Sequence, residues 1–344
     1  MGMRAYIIRR IILMIPTLIG TTLLIFAVTQ LLTPEQRAAL YVTERTAVNI
    51  GEIIEKYHLR DPFYVQYGVW MQQVLSGNLG WSKKFNAPVL KMILQRAPAS
   101  IELGMYCAPV IIITGIILGK KAAVHKDKAI DHITRATSII GWSLPSFWLG
   151  ILLLAIFYSG LGLFEPGRLS DAANAIVMDP TKFKVYTGMY TIDGLLNGNL
   201  WITFDAFKHL ILPIISLTIQ IIALMVRVMR SNMLEVLSKG YITAARAKGL
   251  TQKEVIDKHA TKNALIPIVT LAGMLTAGLL NGVVITEYVF NYPGLGKFAA
   301  TCALPPSDLP GVLGFTLLAA FMFVTANLIV DLIYAYLDPR IRLG

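Results

Sequence analysis

The chain has 344 residues and a net charge of +11, and 55% of its residues are hydrophobic while only 15% are charged. Soluble domains carry roughly 25% charged residues, so this composition excludes an ordinary soluble protein and indicates a single transmembrane domain over residues 1–344. A nucleic-acid-binding protein would carry a basic soluble face with interleaved aromatic residues. That pattern is absent from the sequence, and we expect no nucleic-acid partner.

Six stretches are long and apolar enough to cross a membrane. A helix needs ~20 mostly apolar residues to span a hydrocarbon core ~30 Å thick. Because lipid offers no hydrogen-bond partners, the backbone N–H and C=O groups of a span must bond to each other, which favours helices. The stretches are Ile11–Leu32, Ser100–Gly119, Ala136–Gly162, His209–Met229, Ala264–Ile285 and Gly311–Ala335. The predicted fold is an all-α integral membrane protein with six transmembrane helices, in which internal prolines produce kinks.

The first apolar run, Ile11–Leu32, could also be a cleaved signal peptide. Its 22 residues exceed the 7–15 residues typical of a signal-peptide core. We therefore expect a permanent span.

Basic residues indicate the orientation in the membrane. Of the 31 Lys and Arg residues, 18 fall before the first span, in the second–third connection, in the fourth–fifth connection together with Arg227 at the adjoining end of the fourth span, and in the C-terminal tail. An excess of Lys and Arg in short connections marks the cytoplasmic side. This distribution predicts a multi-pass protein of the cytoplasmic membrane, embedded in the lipid bilayer, with both termini in the cytoplasm.

The first external segment, residues 33–99, is too long to be a simple connection. Asp61–Pro62 is typical of an N-cap followed by proline at the first helical position. A second amphipathic helix is predicted over Pro88–Arg96, ending before Pro98. These helices either lie on the membrane surface or over a pore mouth, or they pack against neighbouring spans; the sequence leaves both open.

The segment 230–263, which we expect in the cytoplasm, is predicted to form two helices joined by a tight corner. Leu234–Lys248 favours a helix, and Gly249 is a typical stop because a left-handed backbone costs glycine least. Thr251 and Glu254 match a capping box, in which each side chain serves the other residue's backbone N–H. Leu250 and Val255 occupy the positions of a hydrophobic staple. The pattern predicts a stiff elbow projecting into the cytoplasm.

The first arm of this elbow is suited to contact a partner. Its small residues permit close approach, its cations add charge, and its last residues form the corner. The predicted docking residues are Ala244, Ala245, Arg246, Ala247, Lys248, Gly249 and Leu250, with Thr251 and Glu254 as supporting helix caps. A passive connection between spans is the alternative.

Several motifs along the chain resemble one family. They are RRIILMIPTLIG at 9–20, GNLGWS at 77–82, SLPSFWLG at 143–150, ARAKGL at 245–250, YPGLG at 292–296 and DLIYAYLDPRIR at 331–342. The elbow resembles the cytoplasmic Glu-Ala-Ala loop of ABC-transporter import permeases. The set of motifs resembles the dipeptide/oligopeptide/nickel subfamily, in the first of its two permease types.

The resemblance implies a type I importer fold and a defined set of partners. These are a second permease subunit forming a heterodimer, two cytoplasmic ATP-binding subunits, and an extracytoplasmic substrate-binding protein. The elbow would sit in a groove of an ATP-binding subunit and couple its closure to alternating access. The sequence departs from the family pattern at Thr243, where the family's loop has Glu, and at residues 33–36, which read TPEQ. The identity of the cargo (peptide, nickel or oligosaccharide) is therefore left open.

Other functions find little support in the sequence. A P-loop requires G-x4-G-K-[ST], and Gly115–Lys121 misses that spacing, so we expect no enzyme activity and no cofactor or metal. A self-sufficient secondary transporter or channel is the alternative, but such a protein would show inverted repeats. Asp331 is the candidate intramembrane polar residue, since ionisable groups in membrane spans are often functional; a helix-anchoring contact is its other interpretation.

Overall fold

The computed structural model describes residues 3–38, 40–42, 49–280 and 282–337, with side chains from Ile8 to Ile329 within those ranges. Helices are numbered here in chain order. Across the described part of the chain, five helical stretches are long and apolar enough to cross a membrane. Their main helices are α1 (Met3–Thr29), α5 (Val89–Val124), α10 (Leu200–Leu237), α13 (Thr261–Leu280) and α16 (Leu309–Leu337).

The third predicted span is not one continuous helix. It consists of α6 (Ala129–Ser143) and α7 (Ser146–Leu153), continued as a π-helix over Leu154–Gly160, and its two halves meet at 99°. The prediction of a merely kinked helix is wrong here. Proline disfavours helical backbone in the preceding residue, and Leu144, just before Pro145, is extended with ψ of 131°. The described residues therefore contain six stretches that can cross a membrane when this bent pair is counted as one.

Shorter helices and one hairpin lie at the end of the molecule that is predicted to be external. They are α2 (Pro34–Ala38), α3 (Ile50–Lys56), α4 (Phe63–Leu75), a hairpin of β1 (Trp81–Ser82) and β2 (Ala87–Pro88), α8 (Asp171–Val177), α9 (Tyr190–Leu196), α14 (Val284–Val289) and α15 (Leu295–Ala303).

Two sequence-based boundaries in this region are wrong. Helix α4 begins at Phe63 with Pro62 in the N-cap position, while the carboxylate of Asp61 lies 2.8 Å from the His58 ring. Helix α5 continues through Pro98. Proline removes only one backbone donor, and membrane helices tolerate it where neighbours satisfy the freed groups; the buried face of α5 continues on both sides of the ring.

Helix α4 packs against the first membrane helix. The rings of Trp70 and Phe26 lie 5.2 Å apart between centroids, and the hydroxyls of Tyr67 and Thr22 lie 2.9 Å apart. Of the two placements left open by the sequence, packing against a neighbouring span is the one observed for α4.

Helices α5 and α10 are in very close contact in the core. A Cβ atom on Gly115 would lie 2.4 Å from the Cβ of Met225, and one on Gly119 would lie 2.8 Å from the backbone oxygen of Val226. Gly115 and Gly119 form a G-x-x-x-G motif, which lets helix backbones approach closely in membranes. These glycines, considered above only as a failed P-loop, therefore have a packing role.

One buried apolar cluster, here the central cluster, runs through the molecule. Its members are Ala99, Leu103, Cys107, Ala108, Ile111, Ala123, Leu210, Leu217, Met225, Met229, Met233, Ile242, Ala245, Val255, Ile256, Ala260, Ala264, Ile268, Leu279 and Tyr292. It joins α5, α10 and α13 to the predicted elbow at one end and to Tyr292 at the other.

The segments predicted to be cytoplasmic lie together at one end of the molecule. Lys120, at the end of α5, pairs with Asp257 of the elbow at 2.5 Å. Arg230 of α10 makes two hydrogen bonds of 2.7 Å to Asp131 of α6.

The segments predicted to be external meet at the opposite end. Glu102 of α5 lies 2.6 Å from Arg168, which belongs to the connection between the third and fourth predicted spans. Ser100 donates a 2.6 Å hydrogen bond to Glu287 of α14. The segments predicted to be cytoplasmic and those predicted to be external thus lie at opposite ends of the molecule, as expected when successive spans cross a membrane in alternate directions.

Replacing Gly119 by Ala should destabilise the protein, because the added methyl group meets the backbone of Val226 and the side chain of Met229. Overpacking of this kind costs about 1–3 kcal/mol. Gly278→Ala is the matched control, since a Cβ at that position in α13 meets nothing within 4 Å. Thermal unfolding in detergent should show a lower midpoint for Gly119→Ala alone; equal midpoints for the two variants would refute the close contact.

Candidate docking site at the elbow

The elbow, residues 240–260, consists of two short arms joined by a tight corner. The first arm is α11 (Gly240–Ala247). The second is α12 (Gln252–Glu254), which continues as a π-helix over Val255–Ala260 and runs into α13.

The predicted helix Leu234–Lys248 is interrupted at its middle. Helix α10 ends at Leu237 and α11 begins at Gly240, because Lys239 between them is extended with ψ of 147°. The Lys239 ammonium lies 2.9 Å from the Glu235 carboxylate, and this hydrogen bond raises the pKa of Lys239. The elbow is therefore a separate unit rather than an extension of α10.

The corner has the hydrogen bonds of a Schellman motif. Gly249 has φ of +81°; its N–H donates to the carbonyl of Arg246 at 2.9 Å, and the N–H of Leu250 donates to the carbonyl of Ala245 at 3.4 Å. These bonds satisfy carbonyls that a helix end would leave without partners. The predicted helix stop at Gly249 is confirmed.

The predicted capping box is also confirmed. The Glu254 N–H donates to the Thr251 hydroxyl oxygen at 3.3 Å, and the Thr251 N–H donates to the Glu254 carboxylate at 3.2 Å. Lys258 adds an ion pair to Glu254 at 3.1 Å. Both sides of the corner are thus closed by hydrogen bonds, which restricts its bending.

The inner face of the elbow belongs to the central cluster. Ile242 and Val255 are fully buried, and Ala245 is 6% exposed. Burying an isoleucine side chain contributes about 1.5–3 kcal/mol. The three alanines among the predicted docking residues are therefore divided: Ala245 faces the protein interior, whereas Ala244 and Ala247 are exposed.

The outer face of α11 is small at its centre and polar at its edges. Given 3.6 residues per turn, Ala244 and Ala247 lie opposite the buried Ile242. Arg246 and Lys248 flank them and are exposed, as is Gly249, while Leu250 is half-buried. This face has the shape of a ridge that a groove in another protein can accept.

Two further features of this region were not found from the sequence, one exposed residue and one ion pair. Tyr241 is 45% exposed beside the small face, and the signal for it was its position one turn before Ala244 and Ala245. The Lys120–Asp257 pair fixes the second arm to α5. Its partners are 137 residues apart, so the sequence alone gave no signal for it.

The remaining candidate, Asp331, falls in the part of α16 where the structure describes no side chains. Among the described residues, no group of three His, Cys, Asp or Glu side chains is arranged to hold a metal ion.

The overall architecture resembles that of an ABC importer. The methionine ABC transporter MetNI, in inward-facing conformations, superimposes with a TM-score of 0.53 over 72% of this chain and 97% of that chain, at 15% sequence identity. The fold is that of the membrane-spanning subunit of such a transporter.

The chain belongs to the family described as binding-protein-dependent transport system inner membrane component, whose model matches residues 111–343. Similar proteins include the dipeptide transport system permease proteins DppB of Alkalihalophilus pseudofirmus (36% identity, covering 99% of this chain and 100% of the relative) and of Escherichia coli K12 (37%, 99% of each). The oligopeptide transport system permease protein AppB of Bacillus subtilis is 34% identical over 99% of this chain and 100% of its own length.

These findings confirm that the chain is a multi-pass permease subunit of the inner membrane rather than an enzyme. They exclude the alternative of a self-sufficient transporter. Family membership also implies an ATP-hydrolysing partner and a substrate-binding protein in general terms.

Replacing Gly249 by Ala should loosen the corner, because a residue with a Cβ pays about 1–2 kcal/mol for a left-handed backbone. Space does not limit this substitution, since nothing lies within 4 Å of the new Cβ. Amide hydrogen exchange over residues 241–250 should accelerate in the variant.

Gly240→Ala is the control for this experiment. The added methyl group also meets nothing within 4 Å there, and alanine favours the helix that begins at this residue. Exchange that accelerates equally in both variants, or in neither, would show that the corner does not depend on the backbone of Gly249.

Proposed function

We propose that this chain is the permease subunit of a peptide importer and that the elbow receives the ATP-binding partner. The observation that carries the proposal is an exposed, small-residue ridge on a helix whose opposite face is buried in the transmembrane core. A ridge anchored in this way moves together with the membrane helices.

The proposed contact surface uses most of the predicted docking residues. Ala244 and Ala247 permit close approach, and Arg246 and Lys248 provide charge at the rim. Gly249 and Leu250 shape the corner. Ala245 acts from behind this surface, because it joins the elbow to the central cluster.

Coupling in this proposal is mechanical. When the ATP-binding subunits close on nucleotide, they displace the elbow, and the central cluster passes the displacement to α5, α10 and α13. Thr251 and Glu254 support this transfer, since a capped corner resists bending that a flexible connection would absorb. An equilibrium between two states shifts only when a partner interacts differently with each, and the elbow provides that contact.

Peptides are the proposed cargo because the relatives described above are named for dipeptide and oligopeptide transport. The proposed assembly contains a second permease subunit, two cytoplasmic ATP-binding subunits and an extracytoplasmic binding protein. In it, residues 33–99 face outward, residues 230–263 and both termini face the cytoplasm, and Asp331 makes a polar contact inside the membrane.

The test places a large side chain on the ridge. Ala247→Trp should prevent seating of the ATP-binding subunit, so that less of it co-purifies with the permease and transport-coupled ATP hydrolysis falls at least tenfold. Membrane insertion and thermal stability should be unchanged, because Ala247 is exposed.

Ala27→Trp makes the same replacement at an exposed position in the first membrane helix and should leave ATP hydrolysis intact. If Ala247→Trp retains the ATP-binding subunit and full coupling, the elbow is not the docking site.

A further inference from the structure

A polar cavity of roughly 500 Å³ opens at the end of the molecule opposite the elbow. This external cavity lies between the start of α5, the segment that leads into α8, the first residue of α9, and the turn that leads into α15. Its lining includes the polar side chains of Arg96, Arg168, Asp171, Tyr190, Asn291 and Lys297. Its volume is typical of sites for small molecules, which span ~300–1,000 Å³.

Arg96 packs against two aromatic rings and forms no ion pair with a described residue. Its guanidinium lies 4.5 Å from the ring centre of Phe85 and 5.8 Å from that of Phe298. Within the described residues no carboxylate forms an ion pair with it, and its Nε atom is buried without a hydrogen-bond partner. Buried polar groups are normally satisfied, so the side chain of Arg96, which lines the cavity, has unused hydrogen-bonding capacity.

Lys297 adds a second cation to the same wall. Its ammonium donates to the side-chain oxygen of Asn291; burial and the nearby charge of Arg96 lower the pKa of Lys297. The nearby carboxylate of Glu287 is engaged elsewhere, by the hydroxyl of Ser100 at 2.6 Å and the backbone N–H of Lys297 at 2.9 Å. Two like charges thus line one wall without a described ion-pair partner.

Arg168 differs from these two cations because it is already neutralised. Its Nε and Nη2 donate to Glu102 at 3.0 and 2.6 Å, and its guanidinium lies 4.1 Å from the ring centre of Tyr190. It is a fixed part of the cavity wall. The ligand-directed charge therefore comes from Arg96 and Lys297.

The cavity also contains an acidic group. Asp171 begins α8, its side chain is exposed, and no described cation pairs with it. The carboxylate of Asp171 would repel an inorganic anion. Arg96 and Lys297 would repel a metal cation. A molecule that carries both charges fits both groups.

We propose that the external cavity binds a zwitterionic peptide, with its terminal carboxylate on Arg96 and Lys297 and its terminal ammonium on Asp171. The permease would then select cargo a second time, after the binding protein releases it. This inference rests on the proposed peptide cargo and assigns a role to residues outside the coupling site.

The test measures peptide contact without the binding protein. The complex of permeases and ATP-binding subunits is reconstituted in nanodiscs, and saturation-transfer NMR is recorded with trialanine and with its C-terminal amide. Trialanine should receive saturation, and amidation should weaken its binding about tenfold, as expected for loss of a charge-assisted hydrogen bond. Arg96→Gln and Lys297→Gln should weaken trialanine binding similarly and leave binding of the amide unchanged.

Lys91→Gln is the matched control. It removes the same charge from an exposed position near the start of the same helix and should not affect binding. Arg96→Lys, which keeps the charge, should recover part of the trialanine signal. Assembly of every variant is verified by its basal ATP hydrolysis.

Three results would overturn the proposal. The first is equal binding of trialanine and its amide by the unmodified complex, and the second is unchanged trialanine binding in both Gln variants. The third is a loss of affinity for the binding protein in the Gln variants while their trialanine binding persists. That result would make the cavity a docking point for the binding protein. Trialanine uptake by the complete system is measured separately: its absence contradicts the peptide cargo, whereas uptake without cavity binding contradicts only this inference.

Discussion

The close contact of α5 with α10 is the constraint on which the remaining structure depends. At Gly115 and Gly119 the two helices approach so nearly that a single added carbon atom would collide. Packed side chains of this density do not slide past one another by small amounts. The two helices must therefore move as one body, and everything attached to them through the central cluster moves with them.

That body reaches both ends of the molecule. On one side it includes Ile242 and Ala245 of the elbow; on the other it includes Tyr292, whose hydroxyl donates a 3.1 Å hydrogen bond to Glu102 beside the external cavity. The elbow and the cavity are thus parts of a single packed unit. Communication between them needs no separate chain of polar contacts.

Local signals in the sequence were sufficient for the corner of the elbow. Gly249, Thr251 and Glu254 act on backbone groups within a few residues, so their roles follow from spacing alone. The inward direction of Ala245 did not follow, because it depends on which face meets the transmembrane helices. The continuation of α5 through Pro98 and the sharp bend at Pro145 were likewise mispredicted, since surrounding packing decides whether a proline is accommodated or ends a helix.

The length of α10 has a mechanical consequence. Its 38 residues extend ~57 Å at 1.5 Å per residue, nearly twice the ~30 Å hydrocarbon thickness, so the helix reaches well beyond the hydrocarbon core. A tilt of about 10° around the middle of such a rod displaces each tip by roughly 5 Å. A tip displacement imposed in one compartment is thereby accompanied by a displacement of similar size and opposite direction in the other.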